Sequence, residues 1–266
     1  MVLLVLLLST IQIAIQHLRQ MVILLVMHAW LNVRSTVSVV LVEDSSSANA
    51  KLTLEIINIK QTMPQVLEIT PVVGSAFFLR TDYLEIVSPL ELDPAKNGFG
   101  VLGHVNSINF NQEKTDDLLN AAKCFEIEKK SLEYLARAEQ CRFLLTQKLL
   151  KKDFPKNLIN KALDYLESQN YLSDVRFAGA FLRNRGIDHL EGSSRLLQEL
   201  QSRGINRQVA SDAVAEYFLS KDQEEICLMA FQKVSRRKKD PEKIIAYLLQ
   251  SGFSYSMIKR VMSKST

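Results

Sequence analysis

Leu196-Leu197-Gln198-Glu199-Leu200-Gln201-Ser202-Arg203-Gly204-Ile205 is the stretch on which the fold turns. Its apolar pair Leu196 and Leu200 has helical spacing and runs into a glycine, and a second helical stripe, Val209, Ala210 and Val214, follows Ile205. The same order occurs twice more. Aligned on Phe154, Ile205 and Phe253, each copy has an aliphatic residue nine positions earlier (Leu145, Leu196, Ile244) and a leucine five positions earlier (Leu149, Leu200, Leu248). After the anchor come Leu158, Val209 and Met257, then Ile159, Ala210 and Ile258, then Leu163, Val214 and Met262. These spacings give each of two consecutive helices one apolar face.

The break between the helices has a cause. Gly204 and Gly252 stand just before their anchors, and glycine takes the left-handed conformation that closes a helix without steric cost. The first copy has Asp153 there, which enters that region less readily. A helix pair of this size cannot bury its apolar stripe alone, so the copies are expected to share a continuous core and present an extended surface to a partner.

The chain of 266 residues is long enough for one large core or two small ones. Its charge is uneven: residues 1–120 hold 7 Lys/Arg against 11 Asp/Glu, and residues 121–266 hold 26 against 18. The repeats are therefore the basic part, suited to nucleic acid or a nucleoprotein, the alternative being a well-solvated helical surface. Cys124, Cys141 and Cys227 are scattered and odd in number, which fits a reducing compartment and not a disulfide framework.

The first 62 residues read differently. Met1 to Leu8 and Met21 to Leu31 are apolar runs separated by Gln12, Gln16, His17, Arg19 and Gln20, and neither reaches the roughly 18 to 20 residues that span a bilayer. A signal peptide would normally begin with basic residues, which are missing here. A β-like stretch runs from Leu52 to Ile59. This segment is expected to be dispensable, with translation beginning at Met63. Beyond it, Val66–Thr70 and Ala76–Arg80 flank a turn containing Gly74 and predict two strands of a small sheet. Thr115-Asp116-Asp117 resembles a helix cap, and helix is expected from there onward.

Gly98-Phe99-Gly100-Val101-Leu102-Gly103 has the glycine spacing of a dinucleotide loop, but a Pro- and Asn-containing loop precedes it and an Asn-rich run follows it where a strand and a helix are needed. His17, His28, His104 and His189 show no metal-ligand spacing, no Cys-x-x-Cys pair exists, and no carboxylate pair stands out as acid and base. The expectation is a protein that is not an enzyme, with no cofactor and no metal.

Basic residues carry the sharper signal. At the junction Leu166 to Ala178, Asn170 can close one helix while Ser173 or Asp174 caps the next. On that next helix Phe177, Ala178, Phe181 and Arg185 share one side, whereas Arg176 and Arg183, seven apart, share the other. They are placed either to meet a partner or to form structural salt bridges. Lys233-Val234-Ser235-Arg236-Arg237-Lys238-Lys239 is a second cluster, with more cations than a helix C-terminus calls for, and phosphate or an acidic protein surface would match it. Base-specific readout is not indicated, because the second helices lack the Asn, Gln and Arg density that groove reading uses.

Taken together, Ser131–Arg137, Tyr171–Ala178, Gly192–Leu200 with Gly204-Ile205, and Tyr247–Phe253 resemble the RecX family of bacterial regulators of the RecA recombinase. The resemblance spans about Lys129 to Met262. It implies a mainly α fold of tandem three-helix repeats in an elongated array, preceded by a small β-rich segment. The corresponding bounds are 63–114 for the β-rich lead and 115–172, 173–220 and 221–266 for the repeats. It also implies a cytoplasmic monomer that binds the RecA filament on single-stranded DNA and limits its recombinase and ATPase activities, with weak direct DNA binding. The partner-binding set expected is Arg176, Arg183, Arg195, Lys233, Arg236, Arg237, Lys238 and Lys239. Two departures stand out: Cys141-Arg142-Phe143-Leu144-Leu145 replaces a family Ser-Arg-x-Glu-Leu, and Ser173-Asp174 replaces a pair of acids. Two other classes fit the residues, a nucleic-acid-binding repeat protein independent of RecA and a membrane-tethered helical scaffold.

Overall fold

The computed structural model describes residues 54–94, 107–238 and 240–264. The two apolar runs before residue 54, the Gly98–Gly103 loop with His104, and Lys239 lie outside them. The chain divides into two units. One comprises the described residues up to Arg137 with Leu149–Ser168, the other Ala138–Lys148 with the chain from Gln169 onward.

The first unit opens with an antiparallel sheet of four strands, β1 (Leu54–Met63), β2 (Val66–Pro71), β3 (Phe77–Arg80) and β4 (Ile108–Phe110), in the order β3-β2-β1-β4. Along β1 the buried residues are Leu54, Ile56 and then Ile59, a change of parity. The register shift between Ile56 and Asn58 accounts for it, since one extra residue moves the following side chains to the other face. The expected boundary between 62 and 63 runs through β1, so a chain beginning at Met63 would lack most of the strand that pairs with both β2 and β4.

Helix α1 (Gln112–Arg137) packs on this sheet through Leu118, Ala121, Ala122 and Phe125. The cap expected at Thr115-Asp116-Asp117 is corrected: the helix starts three residues earlier, where Asn111 Oδ1 accepts from Lys114 N at 3.0 Å. Asp117 serves another purpose. Its carboxylate accepts the backbone N–H groups of Glu85, Ile86 and Val87 at 2.9–3.2 Å and so ties the segment after β3 to α1. Deeper in, Arg80 donates two hydrogen bonds to Glu128, at 2.9 and 2.7 Å, and Tyr83 Oη donates a third at 2.9 Å. A buried carboxylate with a forked cation and a hydroxyl is fully satisfied, which is the condition for burying charge without a large penalty. Burial beside that carboxylate pushes the Tyr83 phenol well above its ordinary value. Helix α3 (Lys156–Ser168) completes the unit, with Tyr165 edge-on to Tyr83 at 5.5 Å and stacked under the Arg80 guanidinium at 4.6 Å.

The remaining helices are α2 (Arg142–Leu150), α4 (Asp174–Asp188), α5 (Ser193–Ser202), α6 (Arg207–Leu219), α7 (Gln223–Ser235), α8 (Pro241–Gln250) and α9 (Tyr255–Lys264). They fall in threes, each set ending in the helix-turn-helix that the aligned copies predicted. Asp153, Gly204 and Gly252 have φ of 61°, 78° and 90°, and the aligned leucines Leu149, Leu200 and Leu248 are all 0% exposed. Second-repeat residues Phe177, Leu182, Leu196, Leu200, Ile205 and Val214 form one core, to which Cys141 and Leu144 of α2 add. Third-repeat residues Cys227, Val234, Ile244, Leu248, Phe253 and Ile258 form another. Leu144, where the family pattern has glutamate, therefore packs on apolar neighbours, and Cys141 Sγ reaches Arg203 O at 3.3 Å.

Within the second unit one joint occurs twice. The turn before α6 seats on the start of α2, where a side chain at Gly204 would meet Phe143 Cβ at 2.5 Å. The turn before α9 seats likewise on the start of α5, where a side chain at Gly252 would overlap the backbone N of Arg195, and Gly192 N donates to Ser251 O at 2.9 Å. Both glycines are therefore required twice over, for their φ and for close approach. The junction at Asn170 also behaves as read: it has φ 58°, and Ser173 caps α4 by accepting from Arg176 N at 3.3 Å. Asp174 caps a different helix, accepting from Arg142 N of α2 at 2.8 Å.

Candidate partner-binding surface

The structure sorts the candidate cations into two kinds. Arg176 spends all its donors internally: Nε on Glu139 at 3.0 Å, Nη1 on Asn170 at 2.7 Å and Nη2 on the Tyr171 carbonyl at 2.8 Å. It locks the start of α4 to the loops on either side, which is the salt-bridging alternative of its two readings. Arg195 is similar. Its Nη2 lies 2.6 Å from Glu199, which Arg203 also holds at 2.6 Å, while Arg185 grips Glu191 at 2.5 and 2.9 Å. Three arginines and two glutamates thus neutralise one another, with Arg203 over the Phe181 ring at 4.4 Å. The hydrogen bond from Arg203, reinforced by the charges of Arg185 and Arg195, holds the Glu199 carboxyl below the usual carboxylate range.

The other kind is exposed. Arg183, on the outer side of α4, and Lys233, Arg236 and Arg237, at and just beyond the end of α7, have no ion-pair partner among the described residues. Lys238 follows them and places its Nζ 5.3 Å from the centroid of the Tyr247 ring. Then Asp240 caps α8 by accepting from Glu242 N at 3.0 Å, with Pro241 next. Lys239 lies outside the described residues.

Beside this cluster is a cleft of about 100 Å³, bounded by the α4–α5 loop, α7 and the end of α8. Lys233, His189, Tyr247 and Ser251 line it, together with Glu191, whose charge Arg185 already balances. The sequence reading picked out neither His189 nor Tyr247. A signal existed, because the alignment of the copies puts Tyr247 where the others carry Glu199 and Lys148, and Tyr255 where they carry Arg207 and Lys156. An aromatic residue at a position that is otherwise charged is an outward-facing one.

Cys124, Cys141 and Cys227 are all free and buried, and burial pushes the thiols of Cys124 and Cys227 up to about 11, so they remain protonated at neutral pH. No group of three or more His, Cys, Asp or Glu that could hold a metal occurs among the described residues. Nor is any described helix long and apolar enough to cross a membrane.

No protein-family model matches the chain. Individual relatives do. Regulatory protein RecX of Treponema pallidum (strain Nichols) is 34% identical over 146 residues, covering 55% of this chain and 89% of that protein. The chain belongs to the RecX family. Regulatory protein RecX of Clostridioides difficile (strain 630) is 30% identical over 159 residues, 58% of this chain and 74% of its own length. A crystal structure of regulatory protein RecX superposes with a TM-score of 0.60 over 79% of this chain and 99% of the other, at 19% identity, and so shares the fold. RecX relatives are named as regulatory proteins, in keeping with a helical chain whose buried polar groups are all engaged in structure.

Proposed function

We propose that this chain binds the RecA nucleoprotein filament on single-stranded DNA and restrains its recombinase and ATPase activities, acting as a cytoplasmic monomer with no catalytic centre of its own. The observation that carries the reading is kinship to proteins named Regulatory protein RecX, at 34% identity over most of their length. The surface supports it: Arg183, Lys233, Arg236, Arg237 and Lys238 are cations that the fold does not consume, and a filament repeats acidic and phosphate groups along its length. Contacts of this kind are individually weak and add through effective concentration when one scaffold carries several. Arg176 and Arg195, by contrast, are assigned to holding the second repeat together.

The test is RecA ATPase on single-stranded DNA with and without the chain. Inhibition that saturates and weakens with added salt is expected, since exposed charges are screened over about 8 to 10 Å at moderate ionic strength. Unchanged ATPase at saturating protein would remove the reading.

A further inference from the structure

The cleft beside Lys233 is the one polar cavity whose chemistry the fold leaves unexplained among the described residues. Its only acid, Glu191, is neutralised by the paired hydrogen bonds from Arg185. What remains facing it is cationic or hydrogen-bonding: Lys233, the His189 imidazole and the hydroxyls of Tyr247 and Ser251. At about 100 Å³ the space suits one small oxyanion. Beside it Tyr247 is 40% exposed with Lys238 against its ring. The same pairing occurs on α9, where Tyr255 is 50% exposed and Lys259 Nζ lies 5.0 Å from the ring centroid.

We infer that the third repeat carries a subsite for single-stranded nucleic acid, with a backbone phosphate in the cleft at Lys233 and an unpaired base against Tyr247. The pairing of a phosphate-sized cationic cleft with an open aromatic face selects this ligand. An acidic peptide would use the lysines but leave the tyrosine faces unused, and a duplex keeps its bases stacked away from them. Base stacking on an aromatic side chain accepts any base, so the subsite is indifferent to sequence. Lys238 leaves the ring as the base arrives and takes up the neighbouring phosphate. The inference rests on the reading above in one respect, that the filament supplies the strand.

The experiment is fluorescence anisotropy of fluorescein-labelled oligothymidylate with the full chain and no RecA. The double variant K233E/K238E is expected to weaken binding at least roughly tenfold and to flatten the logarithmic salt dependence by about 2, one for each lost phosphate contact. Y247A is expected to lose roughly five- to a hundredfold, and Y247F, which keeps the ring, to retain most of the affinity. The exposed Arg207, away from the cleft on α6, is the control: R207E should cost no more than about twofold. Binding by K233E/K238E and Y247A equal to wild type, with unchanged melting temperatures, would overturn the subsite. So would a wild type that ignores oligothymidylate yet binds polyglutamate through Lys233, which would give the cleft to an acidic protein. Failure here and failure of the filament reading are separable. Normal inhibition of RecA without oligonucleotide binding sinks only the subsite, and oligonucleotide binding without any effect on RecA sinks only the filament reading.

Discussion

The second and third repeats share a helix pattern and both are rich in cations, yet they use that charge in opposite ways. In the second, Arg176, Arg185, Arg195 and Arg203 turn inward onto Glu139, Glu191 and Glu199 and onto backbone carbonyls. In the third, Lys233, Arg236, Arg237 and Lys238 stand at a helix end with no carboxylate bound to them among the described residues. Guanidinium groups suit the first task because a planar fork can satisfy two carboxylates and a ring face at once. A run of mixed Lys and Arg on a helix end cannot be neutralised from within its own repeat, so its field points to solvent. Counting cations along the chain would treat the two regions alike, and only the positions of the acids separate them.

The comparison presumes that the two repeats are equally well built underneath. Leu200→Ala and Leu248→Ala test that, each expected to cost about 2 to 5 kcal/mol in chemical denaturation because both side chains are wholly buried. A cost near zero for Leu248→Ala alone would mean that the third repeat is loosely packed and its free cations a symptom of that.

Next come the joints. Gly252→Ala is expected to destabilise more than Gly204→Ala, both within roughly 1 to 3 kcal/mol. The new methyl at 252 meets the backbone of Arg195, whereas at 204 it meets the half-exposed Phe143 side chain, which can swing aside. Melting temperatures of the two variants decide the order.

Charge reversal then separates the two uses directly. Arg176→Glu should lower stability by about 1 to 3 kcal/mol, because three satisfied acceptors lose their donor. Lys233→Glu should stay within about 0.5 kcal/mol of wild type in stability and show its effect in RecA inhibition instead. The reverse outcome, a stable Arg176→Glu that no longer inhibits, would return Arg176 to the interface.

The smallest effect expected is in acid. Glu199 has a folded pKa below that of the unfolded chain, so its ion pairs contribute in full above the ordinary carboxylate value of about 4.3 and are lost as pH falls through the folded value. Thermal melts across this range should show a shallower acid slope for Glu199→Gln than for wild type. Glu224, also lowered, by a hydrogen bond from Lys264, lies at the surface of the third repeat, and Glu224→Gln should leave the slope nearly as it was.

The helix pairs were legible in sequence because their evidence is local: five aligned apolar positions and a turn residue with positive φ. β2 and β3 were legible for the same reason, as a short hairpin with alternating burial. The start of α1 was not. Asp117 looks like a cap until it is seen holding three backbone amides from about thirty residues earlier, a partnership with no trace in the residues around it. The division at Met63 failed to register β1 for a related reason, since a strand's partners on both sides lie later in the chain. At the surface, Arg176 and Arg183 have the same helical phase, and what separates them is Glu139, brought close only by the fold. The tyrosines of the third repeat went unread because the copies had been compared at their apolar positions alone.

The two seated glycines and the aspartate that replaces them in the first copy also act as punctuation. A module such as residues 173–220 carries both halves of the joint, a glycine turn that fits the helix ahead and a helix start that receives the next turn. The first turn has a Cβ at Asp153 where a seated turn has none, so the first module can begin a series and cannot sit inside one. The number of modules is accordingly an editable property of the gene: a chain with residues 173–220 duplicated after Ser220 is expected to melt as cooperatively as the parent, whereas one with residues 115–172 duplicated in that place should do so only with Asp153→Gly in the inserted copy.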